Sequence, residues 1–116
     1  MKYKITDKQL ESVIFLYLDN QDFIPIEKGD NIYFANSEGD EYSQIRYDKD
    51  DGWCYVHSKL VDEISRFFSL EESDSKHFIG IWVENTLQME VTNTINCDRY
   101  DISRLRMPPI LKDENV

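Results

Sequence analysis

Near the start of the chain, apolar residues recur at helical spacing. Leu10, Val13, Ile14, Tyr17 and Leu18 fall at i, i+3, i+4, i+7 and i+8. Thr6 and Gln9 stand at capping-box spacing just ahead of them, and Ile5 and Leu10 at the hydrophobic-staple positions, so the helix is expected to start there. Phe15 and Leu16 widen the apolar face, which predicts more than one packing neighbour, and Asp19-Asn20 ends the pattern.

From Phe23 to His57 the period changes to two. Strands are predicted over 23–27, 31–36, 41–48 and 53–57, separated by Lys28-Gly29-Asp30, Ser37-Glu38-Gly39-Asp40 and Lys49-Asp50-Asp51-Gly52, all rich in turn formers. A second turn centred on Glu38-Gly39 sets Ile32 opposite Ile45. A four-residue third loop sets Ile45 opposite Val56 and Tyr47 opposite Cys54. An odd-length first turn places Ile24 and Ile26 on the same aliphatic face, with Ile32, Phe34, Ile45, Tyr47, Cys54 and Val56. Pro25 then confines the first strand to an edge.

The other face of this meander carries Phe23, Tyr33, Tyr42, Gln44, Arg46, Asp48, Trp53, Tyr55 and His57, with Arg46 opposite Tyr55 at cation–π reach. That is more aromatic surface than solvent-facing positions need. Either a helix or the C-terminal segment covers it, or it is a binding surface; the candidate interaction surface is Tyr33, Tyr42, Arg46, Trp53, Tyr55 and His57.

Ser58 is placed to cap a helix through Phe68, with Leu60, Val61, Ile64, Phe67 and Phe68 on one side. Ser69 and Glu72 form a second capping box, opening a helix whose stripe reads His77, Phe78, Ile81, Trp82 and Asn85. Gly80 within it points to close packing against a neighbour. The alternation of Leu87, Met89 and Val91 turns the chain toward strand near Asn85. The fold class is thus α+β: an N-terminal helix, a four-stranded antiparallel meander, two C-terminal helices covering the aliphatic face, and an extended C-terminal segment. One domain is expected over 1–107, with a loose tail over 108–116.

A chain of 116 residues with 41% hydrophobic positions suits one core. The longest apolar run, 13–18, has six residues where a membrane span needs about 20. The opening lacks an apolar h-region, and Cys54 and Cys97 are too few for a disulfide scaffold. A soluble, cytoplasmic protein is therefore expected. With 13 Lys+Arg against 23 Asp+Glu the net charge is −10, which disfavours phosphate backbones as partners. Only Arg99, Arg104 and Arg106 form a short basic stretch.

The stretches Ile5-Thr6-Asp7-Lys8-Gln9-Leu10, Gly52-Trp53, Phe67-Phe68-Ser69-Leu70-Glu71 and Ile81-Trp82-Val83-Glu84-Asn85-Thr86 resemble small proteins of marine tailed phages. These motifs are turns, caps and helix faces. The resemblance implies a viral or marine-metagenome source, with the host cytoplasm as location, and carries no activity.

Chemical motifs fail on spacing. With Gly52 at position 6 of a calcium loop, Tyr47 falls at 1, Lys49 at 3 and Ser58 at 12, where carboxylates are needed; Asp48, Asp50 and Asp51 read as a solvated turn. Cys54, His57, His77 and Cys97 supply zinc-ligand types without paired knuckles. No nucleophile elbow or phosphate loop occurs. No catalytic residue, metal or cofactor is assigned. The expected role is non-enzymatic, with a protein partner or a homo-oligomer. Two further readings are an acidic decoy imitating nucleic-acid phosphates and a small metal-dependent hydrolase using Asp48, Asp50 and an acid from a helix.

Overall fold

Helix α1 spans Asp7–Asp19 in the computed structural model, which describes residues 7–36 and 41–108; the expected Thr6 cap lies outside them. Strands β1 (Ile24–Lys28), β2 (Asn31–Ala35), β3 (Ile45–Asp48) and β4 (Trp53–His57) follow. Then come α2 (Ser58–Phe68), α3 (Glu72–Leu87), β5 (Asn93–Cys97) and a 3₁₀ turn, Ile102–Leu105. The architecture is α+β, but the sheet has five strands in the order β1-β2-β3-β4-β5 rather than four. The first four are an antiparallel meander. The fifth returns through the α2–α3 crossover and pairs parallel with β4, Tyr55 beside Ile95.

The helices cover the aliphatic face. Ile14 and Leu18 of α1, Leu60, Val61 and Ile64 of α2, and Phe78, Ile79, Trp82 and Val83 of α3 bury Ile32, Phe34, Ile45, Tyr47, Cys54 and Val56. Several polar groups at the layer edges are paired. Trp82 Nε1 donates to Asp19 Oδ1 (2.9 Å), the Tyr47 hydroxyl to the Glu90 carbonyl (2.6 Å), and the Ser65 and Ser75 hydroxyls bond each other (2.7 Å).

Several local expectations are corrected. The first turn is even, because Lys28 pairs with Asn31 across a two-residue loop; Gly29 at φ 60 takes the first central position, where type II′ hairpins favour glycine. Ile26 therefore pairs with Tyr33, so Ile24 and Ile26 belong to the aromatic face. Phe23 turns instead to the helix side, its ring 6.2 Å from Phe34 and 5.6 Å from Trp82. In the second hairpin Ile32 faces Tyr47 and Phe34 faces Ile45, a slip of two residues that keeps every side chain on its expected face. The third turn matches: Ile45 faces Val56, Tyr47 faces Cys54, and Gly52 sits at φ 76.

The helix ends also differ. His57, not Ser58, is the N-cap of α2, its Nδ1 accepting the Lys59 N–H at 3.1 Å. Ser69 closes α2 in a left-handed conformation (φ 57) instead of opening α3, whose N-cap is Glu71. Helix α3 runs on past Asn85 to Leu87. Its buried side is Ser75, Phe78, Ile79, Trp82 and Val83, which leaves His77 and Asn85 exposed.

Candidate functional site

The aromatic face of the sheet is roofed by the chain's own C-terminal segment. Cys97 ends β5, and the 3₁₀ turn then brings Leu105 against Tyr55 and Cys97, with Tyr42, Trp53, Ile95 and Ile102 around them. The Leu105 carbonyl accepts both the backbone N–H (2.8 Å) and the hydroxyl (3.1 Å) of Ser43. Met107 N–H donates to the Glu41 carbonyl (2.9 Å). Because the backbone at Glu41 and Ser43 is engaged with this segment, β3 begins only at Ile45. Tyr42 makes an isolated bridge to Arg106.

The arginines bind the roof down. Arg46 stands opposite Tyr55 as expected, its guanidinium 4.5 Å from the ring centroid, and donates to the Arg104 carbonyl at 2.7 Å. Arg104 lies 5.5 Å over the same ring. Arg106 lies 5.4 Å over Tyr42 and pairs with Glu41 at 3.0 Å. Of the six candidate surface residues, Tyr33 (8% exposed) and Tyr55 (5%) are buried, and Tyr42, Arg46, Trp53 and His57 are half-buried. Around Tyr42, Trp53 and Tyr55 the sheet face is therefore not an open aromatic surface, because the 3₁₀ turn packs against it. No apolar periodicity marks this segment in the sequence; the available signal was two arginines, Arg104 and Arg106, spaced to meet a tyrosine-rich face.

His57 acts at the β4–α2 junction as a cap. Burial, then the nearby Lys59 charge, lowers its pKa against a smaller opposing effect of Glu63. The unfolded chain thus binds the His57 proton more tightly, so the cap's stabilisation is present above the ordinary histidine pKa of about 6.5 and is lost as pH falls through it. His57→Ala should cost about 0.5–2 kcal/mol near neutral pH. His57→Asn should keep the cap while removing this part of the acid sensitivity. Urea melts at several pH values check it: an unchanged pH slope in His57→Asn would show that His57 does not titrate with folding.

The Asp48–Gly52 turn uses its carboxylates internally. Asp48 Oδ1 accepts the Asp50 N–H and Asp51 Oδ1 the Trp53 N–H, both at 2.9 Å, and Arg46 approaches Asp48 at 3.8 Å. Cys54 and Cys97 are free thiols buried on opposite sheet faces, Cys54 under the helices and Cys97 under the 3₁₀ turn. His77 is exposed on α3, so the four candidate zinc ligands do not converge. Among the described residues no three His, Cys, Asp or Glu side chains are grouped to hold a metal, and no helix is long and apolar enough to cross a membrane.

More fully exposed apolar side chains lie on the helices. On the α1 flank Leu16 is 60% exposed, and Val13, one helical turn away, is exposed too. At the end of α2 Phe67 is 70% exposed although the sequence pattern put it with the core. Tyr17 joins the two helices, its ring 5.4 Å from Phe67 and 5.7 Å from Phe68. No family model, curated protein or solved structure matches the chain.

Proposed function

We propose that the chain is a non-enzymatic interaction protein, of the phage type its sequence resembles, acting by protein–protein contact through the α1–α2 flank. The observation carrying this reading is the exposure of Phe67, whose ring packs on Tyr17, and of Leu16 and Val13 on the same helix as Tyr17, on a body of net charge −10. Adjoining exposed apolar side chains on a small domain mark contact sites more often than chance, and aromatic residues supply most anchors. The charge selects the partner. A basic surface with an apolar centre is drawn to this flank by the body's field and held by the burial of Leu16 and Phe67.

The test places a photo-crosslinking residue at position 16, or for comparison at Lys28 in the first hairpin, and exposes each protein to extract of the source cell. Adducts specific to position 16 that disappear in Phe67→Ser support the reading, provided Phe67→Ser changes stability by no more than about 0.5 kcal/mol, as for an exposed site. Equal adducts at both positions would overturn it. Capture of a nucleic-acid-binding protein through carboxylate-rich surface alone, insensitive to Phe67→Ser and released at moderate salt, would favour the phosphate-imitating decoy.

A further inference from the structure

The two edges of the sheet are treated differently. Edge strand β1 contains Pro25, which has no N–H, and ends in Glu27 and Lys28, features that discourage another strand from pairing there. Edge strand β5 has none of these. Residues 91–97, Val-Thr-Asn-Thr-Ile-Asn-Cys, are all uncharged in a chain with 31% charged residues, and Glu90 and Asp98 bound the run.

The His57 N–H donates to Gln44 on the β3 side, so alternation turns Cys54 and Val56 toward β5. At the observed register this leaves the backbone of Thr94 and Asn96 facing the open side. Among the described residues the Thr94 N–H is held by the side-chain oxygen of Asn93, at 2.9 Å, a partner that a rotamer change removes.

Beneath this edge, α3 crosses β5 at Gly80, where a Cβ would stand 2.5 Å from Thr94 Oγ1. Lys76 and Glu84 stand four residues to either side of Gly80. With Ser73, His77 and Ile81 they line a groove of about 320 Å³ that opens along Val91–Thr94. Among the described residues neither Lys76 nor Glu84 takes part in an ion pair within the chain.

Thr94 is the centre of the uncharged run, and Gly80 is the midpoint between Lys76 and Glu84. These two centres touch each other. One two-fold axis passing beside them serves both elements. It sets β5 antiparallel to β5 of a second copy, Thr94 opposite Thr94, Asn93 opposite Ile95 and Val91 opposite Cys97, with no charge in the pairing. It also sets Lys76 of each copy opposite Glu84 of the other. Like charges, Glu90 and Asp98, meet only at the ends, which limits the pairing to the seven residues.

We propose that β5 is a self-pairing edge and that two copies join through it and the adjoining flank of α3 into one continuous sheet. This surface is built from other residues than the α1–α2 flank and stands independently of it.

The net charge of −10 on each copy opposes association, so the measurement is made at about 0.15 M salt, where the Debye length of about 8 Å screens the bodies more than contacting pairs. Sedimentation equilibrium should show a mass rising with concentration from 13.8 kDa toward twice that value. The amides of Thr94 and Asn96 should become protected from exchange over the same range.

Lys76→Glu and Glu84→Lys should each weaken the dimer about tenfold, roughly 1.4 kcal/mol, and the double exchange should restore it. Bulk charge alone predicts otherwise: Lys76→Glu would weaken association and Glu84→Lys, by lowering the net charge, would strengthen it. A 13.8 kDa mass persisting to about 1 mM overturns the proposal, because contacts weaker than that contribute less than about 4 kcal/mol. A stronger dimer in Glu84→Lys, or a dimer with Thr94 and Asn96 still exchanging freely, overturns it as well.

Discussion

Leu105→Ala should lower stability by about 2–5 kcal/mol, a large fraction of what a domain of this size has. The side chain is fully buried between Tyr55 and Cys97, in a small second core that the helices do not reach. Truncation leaves a cavity there and loosens the turn whose Leu105 carbonyl holds Ser43 and whose Arg104 carbonyl holds Arg46. The effect should reach beyond the lost methyl groups, because Arg46 Nε is already buried without a partner among the described residues and the guanidinium depends on its remaining contacts. Urea denaturation followed by far-UV circular dichroism measures the loss. A cost under about 1 kcal/mol would mean that the roof over Tyr55 is not part of the cooperative fold.

Gly52→Val should be as severe, about 3 kcal/mol or more, while Asp50→Ser should stay within about 0.5 kcal/mol. At φ 76 a β-branched side chain is strained whatever its surroundings, and here there is no room either. A Cβ would lie 3.1 Å from Thr92 Cγ2 and 3.2 Å from the Glu90 carbonyl oxygen. The turn is also joined to the lead-in of β5, since Thr92 N–H donates to Gly52 O (2.8 Å) and Thr92 Oγ1 to Asp51 O (2.7 Å). Displacing Gly52 therefore disturbs a hairpin and a parallel strand together. Asp50 is exposed, and its role in the turn is a backbone N–H that serine keeps. Similar denaturation midpoints for the two variants would contradict this account of the turn.

The elements legible in the sequence are those set by local periodicity. The α1 stripe, the span of α2, the alternation of β2–β4 and the Asp48–Gly52 turn each depend on neighbours within a few residues. Faces survived even where register did not, as in the β2–β3 pair, because a slip of two leaves the pleat unchanged. What was not legible depends on contacts distant in sequence. Asn93–Cys97 is too polar to announce a strand and becomes one by pairing with β4 across the whole α2–α3 crossover. The first hairpin was misread through a single residue of turn length, which moved Ile24 and Ile26 across the sheet.

The caps show a finer failure. Ser58 and Ser69 have the expected cap chemistry, but the chain geometry gives those roles to His57 and Glu71, and Ser69 takes the left-handed position that ends α2. The candidate surface was ambiguous for a related reason. A face rich in tyrosine, tryptophan and arginine reads the same whether a partner or the chain's own C-terminal turn covers it. Only Arg104 and Arg106, read together with Tyr55 and Tyr42, pointed to the second outcome.

The two thiols give each side of the sheet its own chemical reporter. Both side chains are fully enclosed, and burial raises both thiol pKa values, that of Cys97 to about 11, so neither is a ready nucleophile while the fold is closed. Cys97 can meet an alkylating reagent when the 3₁₀ turn lifts, with the helices still in place. Cys54 meets it only when the helix layer parts from the sheet. The ratio of their labelling rates in one sample therefore separates fraying of the roof from opening of the main core, without any substitution in the chain.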